Sequence, residues 1–536
     1  MCTVTTVPLT KLPTRVLDVD ASGSSSGLRL VNNRPGRRGY YATLSHVWGK
    51  KQIIRSTTDN VSQHEKSIPM SALSQTFRDA VEIARSLGVR YLWIDSLCII
   101  QDDPQDWLSE ACNMGSYYLN SMVTIAAVSA VGGHEGCFMP YEPKNTIPCP
   151  ISIKFAPDDT GSKLGALHGF VRPGTGWDPV QKTDGFHRPI LWQRAWVLQE
   201  RLLSPRLLLF SEVGMSWLCR ACEASERVPE GTSKFMDLKF GDKILQSAIL
   251  GLKKFSHDRV GHMEEGRSRM DDANIVATDQ ETTDLYNAWY DLVMLYGKCG
   301  LTVKSDIFPA IAGIAKAMGN ATSDEYYAGH WKSDLHRGLL WTAPDSTRKL
   351  WELRQYRAPS WSWASLPATC SFWVRQMIQS DPDPSCLEVL EAEIRRNSAD
   401  LFGAIVEGRL IVKGILKKAH PCVTDAESDE LFIELKKSDP RASLFDLDAH
   451  VVVGHYFPDN ESNRFFSEVF CAPIMTEASY RKKRGPDGEE SPMREARGWA
   501  MICLSYEQQV YMRVGLAWVK DMEWFDDCSK STFTVV

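Results

Sequence analysis

Between residues 40 and 211, short apolar runs alternate with amphipathic stretches of helical period. Tyr40 to His46 reads as a short strand. From Ser71 to Leu87 the residues Leu73, Phe77, Ala80, Val81, Ala84 and Leu87 form one apolar stripe, and Gly88 stands where helices end. Tyr91 to Ile100 is almost wholly apolar, which suits a parallel strand buried on both faces. Asp103-Pro104 supplies an N-cap and a first-turn proline for a helix whose stripe is Trp107, Ala111, Met114 and Tyr118. Met122 to Ser129 reads as a third strand, Leu191 to Leu203 as a helix stopped by Ser204-Pro205, and Arg206 to Ser211 as a fourth strand. With an insertion at 130–190, the order is βαβαβ, insertion, αβ. It predicts an α/β fold, a parallel sheet with flanking helices.

The texture differs on either side. Residues 1–39 read as a polar lead-in, with a flexible Ser/Gly run from Ala21 to Gly27. Residues 226–384 read as a mainly helical middle region that begins with a polar loop at 228–282. From 385 to 536 short β-type runs take over: Arg409 to Lys413, Leu431 to Leu435, His450 to Gly454, Gly498 to Leu504 and Val510 to Leu516. The polar stretch Ser479 to Arg497 reads as a solvated loop within this β-rich region. A chain of 536 residues is expected to hold two to four domains at about 100–200 residues each.

Composition narrows the function classes. Sixty-one basic against 67 acidic residues gives a net charge of −6, which offers no electrostatic case for a nucleic-acid partner. No apolar run approaches the ~18–20 residues of a membrane span, and the first residues lack a secretory pattern, so a cytoplasmic location is expected. The 14 cysteines are scattered through apolar runs, as reduced buried thiols are.

Several chemistries lack their motifs. There is no G-x-x-x-x-G-K-[ST], no G-x-G-x-x-G after a strand and no H-E-x-x-H. Cys219-Arg-Ala-Cys222 is a lone C-x-x-C without a second pair, so a pair of structural thiols is favoured over zinc and no metal is expected. Gly23-Ser-Ser-Ser-Gly27 matches the hydrolase elbow G-x-S-x-G only in letters, because no buried strand precedes it and no helix follows.

Four segments carry a resemblance. Tyr41-Ala-Thr-Leu-Ser-His-Val-Trp-Gly49, Leu87 to Gln101, Asp106-Trp-Leu-Ser-Glu110 and Arg194 to Ser204 together resemble the HET (heterokaryon incompatibility) domain of filamentous fungi, over about residues 40–225. Ala328 to Trp341 and Arg357 to Ser365 resemble motifs that commonly follow that domain; the Pro-Ser-Trp-Ser-Trp within the second reads as core and turn. The resemblance implies a fungal protein of non-self recognition and programmed cell death, with self-association and an incompatibility partner. Within it, Trp196 and Glu200 lie one helical turn apart, and this W-x-x-x-E helix resembles the catalytic helix of Toll/interleukin-receptor-like (TIR) domains, some of which cleave NAD. The strand order fits a TIR-like, flavodoxin-like layout, with NAD as substrate and no cofactor.

The chemistry is coherent. Breaking the nicotinamide–ribose bond builds up positive charge, which a carboxylate such as Glu200 can stabilise or attack. Trp196 can position a planar base. Ser45, His46 and Trp48 stand at or after the end of the first strand and Asp95 lies in the second, so all four can line the crevice beyond the strand ends. Alternatives remain open. Glu110 is a rival carboxylate; Glu200 in an exposed salt bridge with Arg194 or Arg201 is a simpler explanation; Asp95 can be a core acid. A signalling module without activity and an enzyme of another class acting on a small metabolite are the alternative functions.

Overall fold

The computed structural model describes residues 9–20, 27–33, 36–138, 149–154, 166–171, 189–212, 214–219, 222–226, 228–233, 279–343, 356–366, 370–372, 386–423, 433–437, 451–458, 469–484, 490–519 and 522–536. The chain divides into two compact units, Met1–Leu250 and Gly251–Val536. No helix among the described residues is long and apolar enough to cross a membrane.

The first unit is built on one mixed sheet. Its elements in chain order are β1 (Arg15–Asp18), β2 (Gly27–Asn32), β3 (Tyr41–Ser45), α1 (Gln75–Ser86), β4 (Tyr91–Trp93), α2 (Asp95–Cys98), α3 (Pro104–Leu119), β5 (Val123–Ala127), α4 (Ala195–Leu203), β6 (Arg206–Ser211), β7 (Gly214–Cys219), β8 (Cys222–Ser225) and β9 (Val228–Ser233). Their order across the sheet is β9-β8-β7-β6-β5-β3-β4-β1-β2, with Ile68–Pro69 added beyond β2. The central four, β6-β5-β3-β4, pair only in parallel with one another, as the alternating pattern predicts. β1 joins β4 antiparallel, and β7, β8 and β9 continue antiparallel from β6. The sheet is therefore mixed, an α/β architecture with antiparallel wings.

Taken in chain order, the parallel strands stand 2-1-3-4, so the direction of winding reverses between β3 and β5. Such a reversal opens a crevice beyond the carboxyl ends of those strands. α3 and α4 pack against each other on one face of the sheet. Right-handed crossovers put α1 on the other.

Several expectations need correction. The lead-in supplies two strands of this sheet: Val16, Leu17, Leu28 and Leu30 are buried, and Asp18 accepts two hydrogen bonds from Arg90 at 3.0 and 2.8 Å. β1 and β2 pair as a hairpin, so a strand follows the Gly23–Gly27 motif where an elbow needs a helix. The strand expected over Tyr91 to Ile100 stops at Trp93. Its chain turns because the Asp95 carboxylate accepts the Ser96 N–H at 2.7 Å and starts α2. Asp95 thus stands beyond the strand end, not within the strand. The polar loop expected from 228 begins as β9, a sheet strand; residues 234–278 lie outside the described residues. Of the insertion, Cys149–Lys154 and Ala166–Val171 form an antiparallel pair, and most of the remainder lies outside the described residues.

The second unit starts with α5 (Asp279–Gly297), α6 (Pro309–Thr322) and the short α7 (Leu335–Gly338). Its strands are β10 (Leu387–Arg396), β11 (Ile405–Gly414), β12 (Lys417–Val423), β13 (Ile433–Lys437), β14 (Val451–Pro458), β15 (Val469–Arg484), β16 (Glu490–Glu507), β17 (Val510–Val519) and β18 (Ser531–Val535). They run β10-β11-β18-β17-β14-β13-β12-β15-β16, and β16 also pairs with β17. Six strands, β17-β14-β13-β12-β15-β16, therefore close into an antiparallel ring, and closure removes their free edges. Strands thus run through the described residues from Leu387 to Val535. Of the stretch Ser479 to Arg497, expected as a solvated loop, residues 479–484 and 490–497 instead form the ends of β15 and β16, whose backbone ladder runs from Phe470↔Cys503 to Arg484↔Glu490; residues 485–489 lie outside the described residues.

The two downstream motifs lock onto each other. The Trp289 and Trp363 indoles both donate to the Gly329 carbonyl, at 2.9 and 2.8 Å. The Ser362 hydroxyl donates to the Ala328 carbonyl at 2.6 Å. The Trp361 carbonyl accepts from the Trp341 indole at 3.0 Å, with His330 Nε2 3.2 Å away. Gly329 has φ +97°, and a Cβ there would run into the Trp363 ring, so no other residue fits. From β17, the Arg513 guanidinium stacks on Trp341 and donates to the Leu339 carbonyl at 2.7 Å.

Candidate functional site

The site lies at the carboxyl end of β3. Because successive strand residues face opposite sides, Ser45 points to the face of α3 and α4 while His46 meets α1. The Ser45 hydroxyl donates to Glu200 Oε2 at 2.5 Å. Tyr118 of α3 reaches the same place; its hydroxyl donates to the Leu44 carbonyl at 3.1 Å and interacts with the Glu200 carboxyl. A polar ladder continues below: Thr43 Oγ1 is 2.7 Å from Thr124 Oγ1, which is 2.5 Å from Ser204 Oγ, and Ser204 donates to the Glu200 carbonyl at 2.5 Å.

On the other face, His46 lies edge-on to Phe77, ring centroids 5.0 Å apart. His46 Nδ1 is 3.9 Å from Asp95 Oδ1, and His46 Nε2 is buried with no hydrogen-bond partner among the described residues. The Trp48 indole donates to Asp95 Oδ2 at 2.9 Å. Arg194, at the N-cap of α4, donates to the His46 carbonyl at 2.6 Å. Gly49, with φ +75°, lets the loop after β3 lie on the loop after β5: a Cβ on Gly49 would stand 2.8 Å from the Gly132 Cα. That contact holds Trp48 against Asp95.

Burial dominates the electrostatics. Glu200 is 5% exposed, and burial pushes its carboxyl up to about 7; the Ser45 hydroxyl and the Arg194 charge pull downward, and Asp95 pushes up. Burial holds the His46 imidazole down to about 4, with Asp95 opposing and Arg194 assisting. Asp95 keeps 20% of its side chain exposed. The site thus holds one buried carboxyl that titrates near neutrality, one partly exposed carboxylate and a neutral imidazole.

These shifts give a pH prediction with a definite sign. Glu200 has a raised folded value, so its contribution is full below about 4.5 and is lost as pH rises through about 7. His46 has a depressed value, so its contribution is full above about 6.5 and is lost as pH falls through about 4. Urea unfolding at pH 5 and pH 8 should show Glu200→Gln gaining about 3 kcal/mol on the wild type between the two. A constant difference between the two proteins would refute the buried titrating carboxyl.

Five of the residues singled out from the sequence come together here: Ser45, His46, Trp48, Asp95 and Glu200. The exposed salt bridge offered for Glu200 is overturned, since its carboxyl is buried against Ser45. Glu110 belongs to a different cluster: it is 1% exposed, accepts from the Tyr117 hydroxyl at 3.0 Å and feels Arg15 from β1. Arg15 in turn grips Asp106 at 2.5 Å. Trp196 is half-buried and stands edge-on to Trp107, centroids 6.3 Å apart. Three contributors were missed. Tyr118 read only as part of an apolar stripe, Arg194 only as a salt-bridge partner, and Gly49 only as the last residue of the first motif. A polar-tipped aromatic on that stripe, and an arginine at a helix start, were the available signals.

Residues 41–200 match the family model described as heterokaryon incompatibility protein (HET). The chain carries a HET domain. The match begins at the first residue of β3 and ends at Glu200, so it holds every residue of the site. No curated protein and no solved structure matches the chain. The strands outside the match, β1, β2 and β6 to β9, complete the sheet on which the HET domain rests. Cys219 and Cys222 bring their sulfurs to 3.7 Å, and among the described residues no group of three or more His, Cys, Asp or Glu is arranged to hold a metal.

Proposed function

We propose that this protein acts in fungal incompatibility and programmed cell-death signalling, through cleavage of the nicotinamide–ribose bond of NAD by its HET domain. The HET domain carries the coarser part: a heterokaryon incompatibility-related function. The convergence of Ser45, His46, Trp48, Asp95 and Glu200 at the carboxyl ends of parallel strands, around a carboxyl near neutrality, supports the finer part. The parallel order 2-1-3-4 with a carboxylate on the helix before the fourth strand supports a TIR-like reading.

The proposed step is heterolysis of the C–N glycosidic bond. The electron pair leaves with nicotinamide, and positive charge builds on the ribose carbon. Ionised Glu200 stabilises that charge or bonds to it, and water then adds to the same carbon, losing one proton. The products are ADP-ribose, nicotinamide and a proton. Ser45 orients the carboxylate, and Trp48 holds Asp95 at the rim. Self-association, in the cytoplasm, would bring the HET domains together for activity.

A second reading has its own support. Glu200 is only 5% exposed and already engaged by hydroxyls, as befits a structural acid. On that reading the HET domain signals by binding alone. The two are separated by assaying nicotinamide release from purified protein. Under either, expression in a fungal host should be toxic. Trp48→Ala and Asp95→Ala should weaken toxicity at least tenfold in surviving colonies, since each breaks the one indole–carboxylate bond that fixes the loop. Full toxicity of both variants, made at wild-type levels, would remove that loop from the site.

A further inference from the structure

Arg194 has no assigned role, yet it links the start of the helix that carries Glu200 to the end of β3. It stands at the junction where the chain enters α4, the helix that carries Glu200. Its guanidinium donates to the His46 carbonyl, one residue past the Ser45 that holds Glu200. A guanidinium is always charged and presents several donors in a rigid fork, so one side chain can fix backbone and supply charge together. We infer that Arg194 is the positioning residue for Glu200, pinning the end of β3 where Ser45 meets its carboxyl.

β3 presents the Ser45 hydroxyl and α3 the Tyr118 hydroxyl; the segment after β4 presents Asp95, which opposes ionisation. His46, on the opposite face, is neutral at ordinary pH. Among these groups Arg194 is the cation. Without it, burial and the Asp95 charge would both favour the protonated form of Glu200. The positioning is also geometric. Ser45 can meet Glu200 only while β3 ends where it does, and the bond from Arg194 to the next residue's carbonyl fixes that end.

This inference deepens the NAD reading but is tested apart from it. The full chain, labelled with carbon-13 at glutamate carboxyls, is titrated by NMR, with Glu200→Gln identifying the Glu200 signal. In Arg194→Gln the Glu200 midpoint should rise, by about one pH unit or more, because a positive charge that lowers it is lost. Arg194→Lys keeps the charge and should stay within about 0.5 unit of wild type. An unchanged midpoint in folded Arg194→Gln overturns the inference. So does a rise in Arg194→Lys of one unit or more, which also decides the matter if Arg194→Gln does not fold. Nicotinamide release is the second readout, and its acid limb should move with the midpoint. If the midpoint moves but the wild type releases no nicotinamide, the NAD reading fails and the role of Arg194 stands.

Discussion

Glu200→Gln is expected to lower nicotinamide release about 10²–10³-fold, the usual loss when one group that stabilises transition-state charge is removed. Glutamine keeps the size of the side chain and its carbonyl can still accept from Ser45, so α4 stays packed. What disappears is the negative charge opposite the developing cation. The same substitution should remove the dependence of turnover on a group titrating near 7. Glu110→Gln serves as the control. Glu110 is held by Tyr117 and Arg15 in another cluster, so its loss should change stability rather than catalysis. Turnover surviving in Glu200→Gln but lost in folded Glu110→Gln would transfer the role to Glu110.

In the second unit, Trp361→Ala is expected to cost about 3–5 kcal/mol, as other large-to-small changes of buried aromatics do. Trp361 is fully buried; its own carbonyl receives Trp341 and His330, and the next residue, Ser362, bonds the Ala328 carbonyl. Removing the indole leaves a cavity beside the His330 ring, whose centroid lies 6.1 Å from it. Tyr356→Ala, five residues earlier and 55% exposed, should stay within about 0.5 kcal/mol. Urea midpoints followed by circular dichroism distinguish the two. A cost below about 1 kcal/mol for Trp361→Ala would mean that the two downstream motifs are not mutually locked.

The parallel strands and their helices were legible because their patterns are strong and local: a stripe at helical spacing in α1, and short runs of Val, Ile, Leu and Ala in β3, β5 and β6. What escaped notice depends on distant partners. β1 reads as Arg-Val-Leu-Asp, a polar-ended fragment, yet Asp18 is satisfied by Arg90 and Arg15 by Asp106, far along the chain. β4 looked ten residues long because an apolar run continues past it; one aspartate side chain, turned back onto the Ser96 N–H, ends it early. The arms of β15 and β16 looked like loop because their side chains are charged, but a hairpin ladder is held by backbone bonds that any side chain permits. In the site, Ser45, His46, Trp48 and Asp95 were readable as residues near strand ends. Arg194, Tyr118 and Gly49 were not, because each acquires its role only from a residue on another element.

The most direct measurement is nicotinamide release by the wild-type full chain supplied with NAD, assayed both free and clustered on beads at high surface density. Stoichiometric ADP-ribose and nicotinamide, formed catalytically and faster when clustered, is the predicted result. No release above background in either form, from protein shown to be folded and toxic in the host, would contradict NAD cleavage and leave the HET domain as a module that signals by binding.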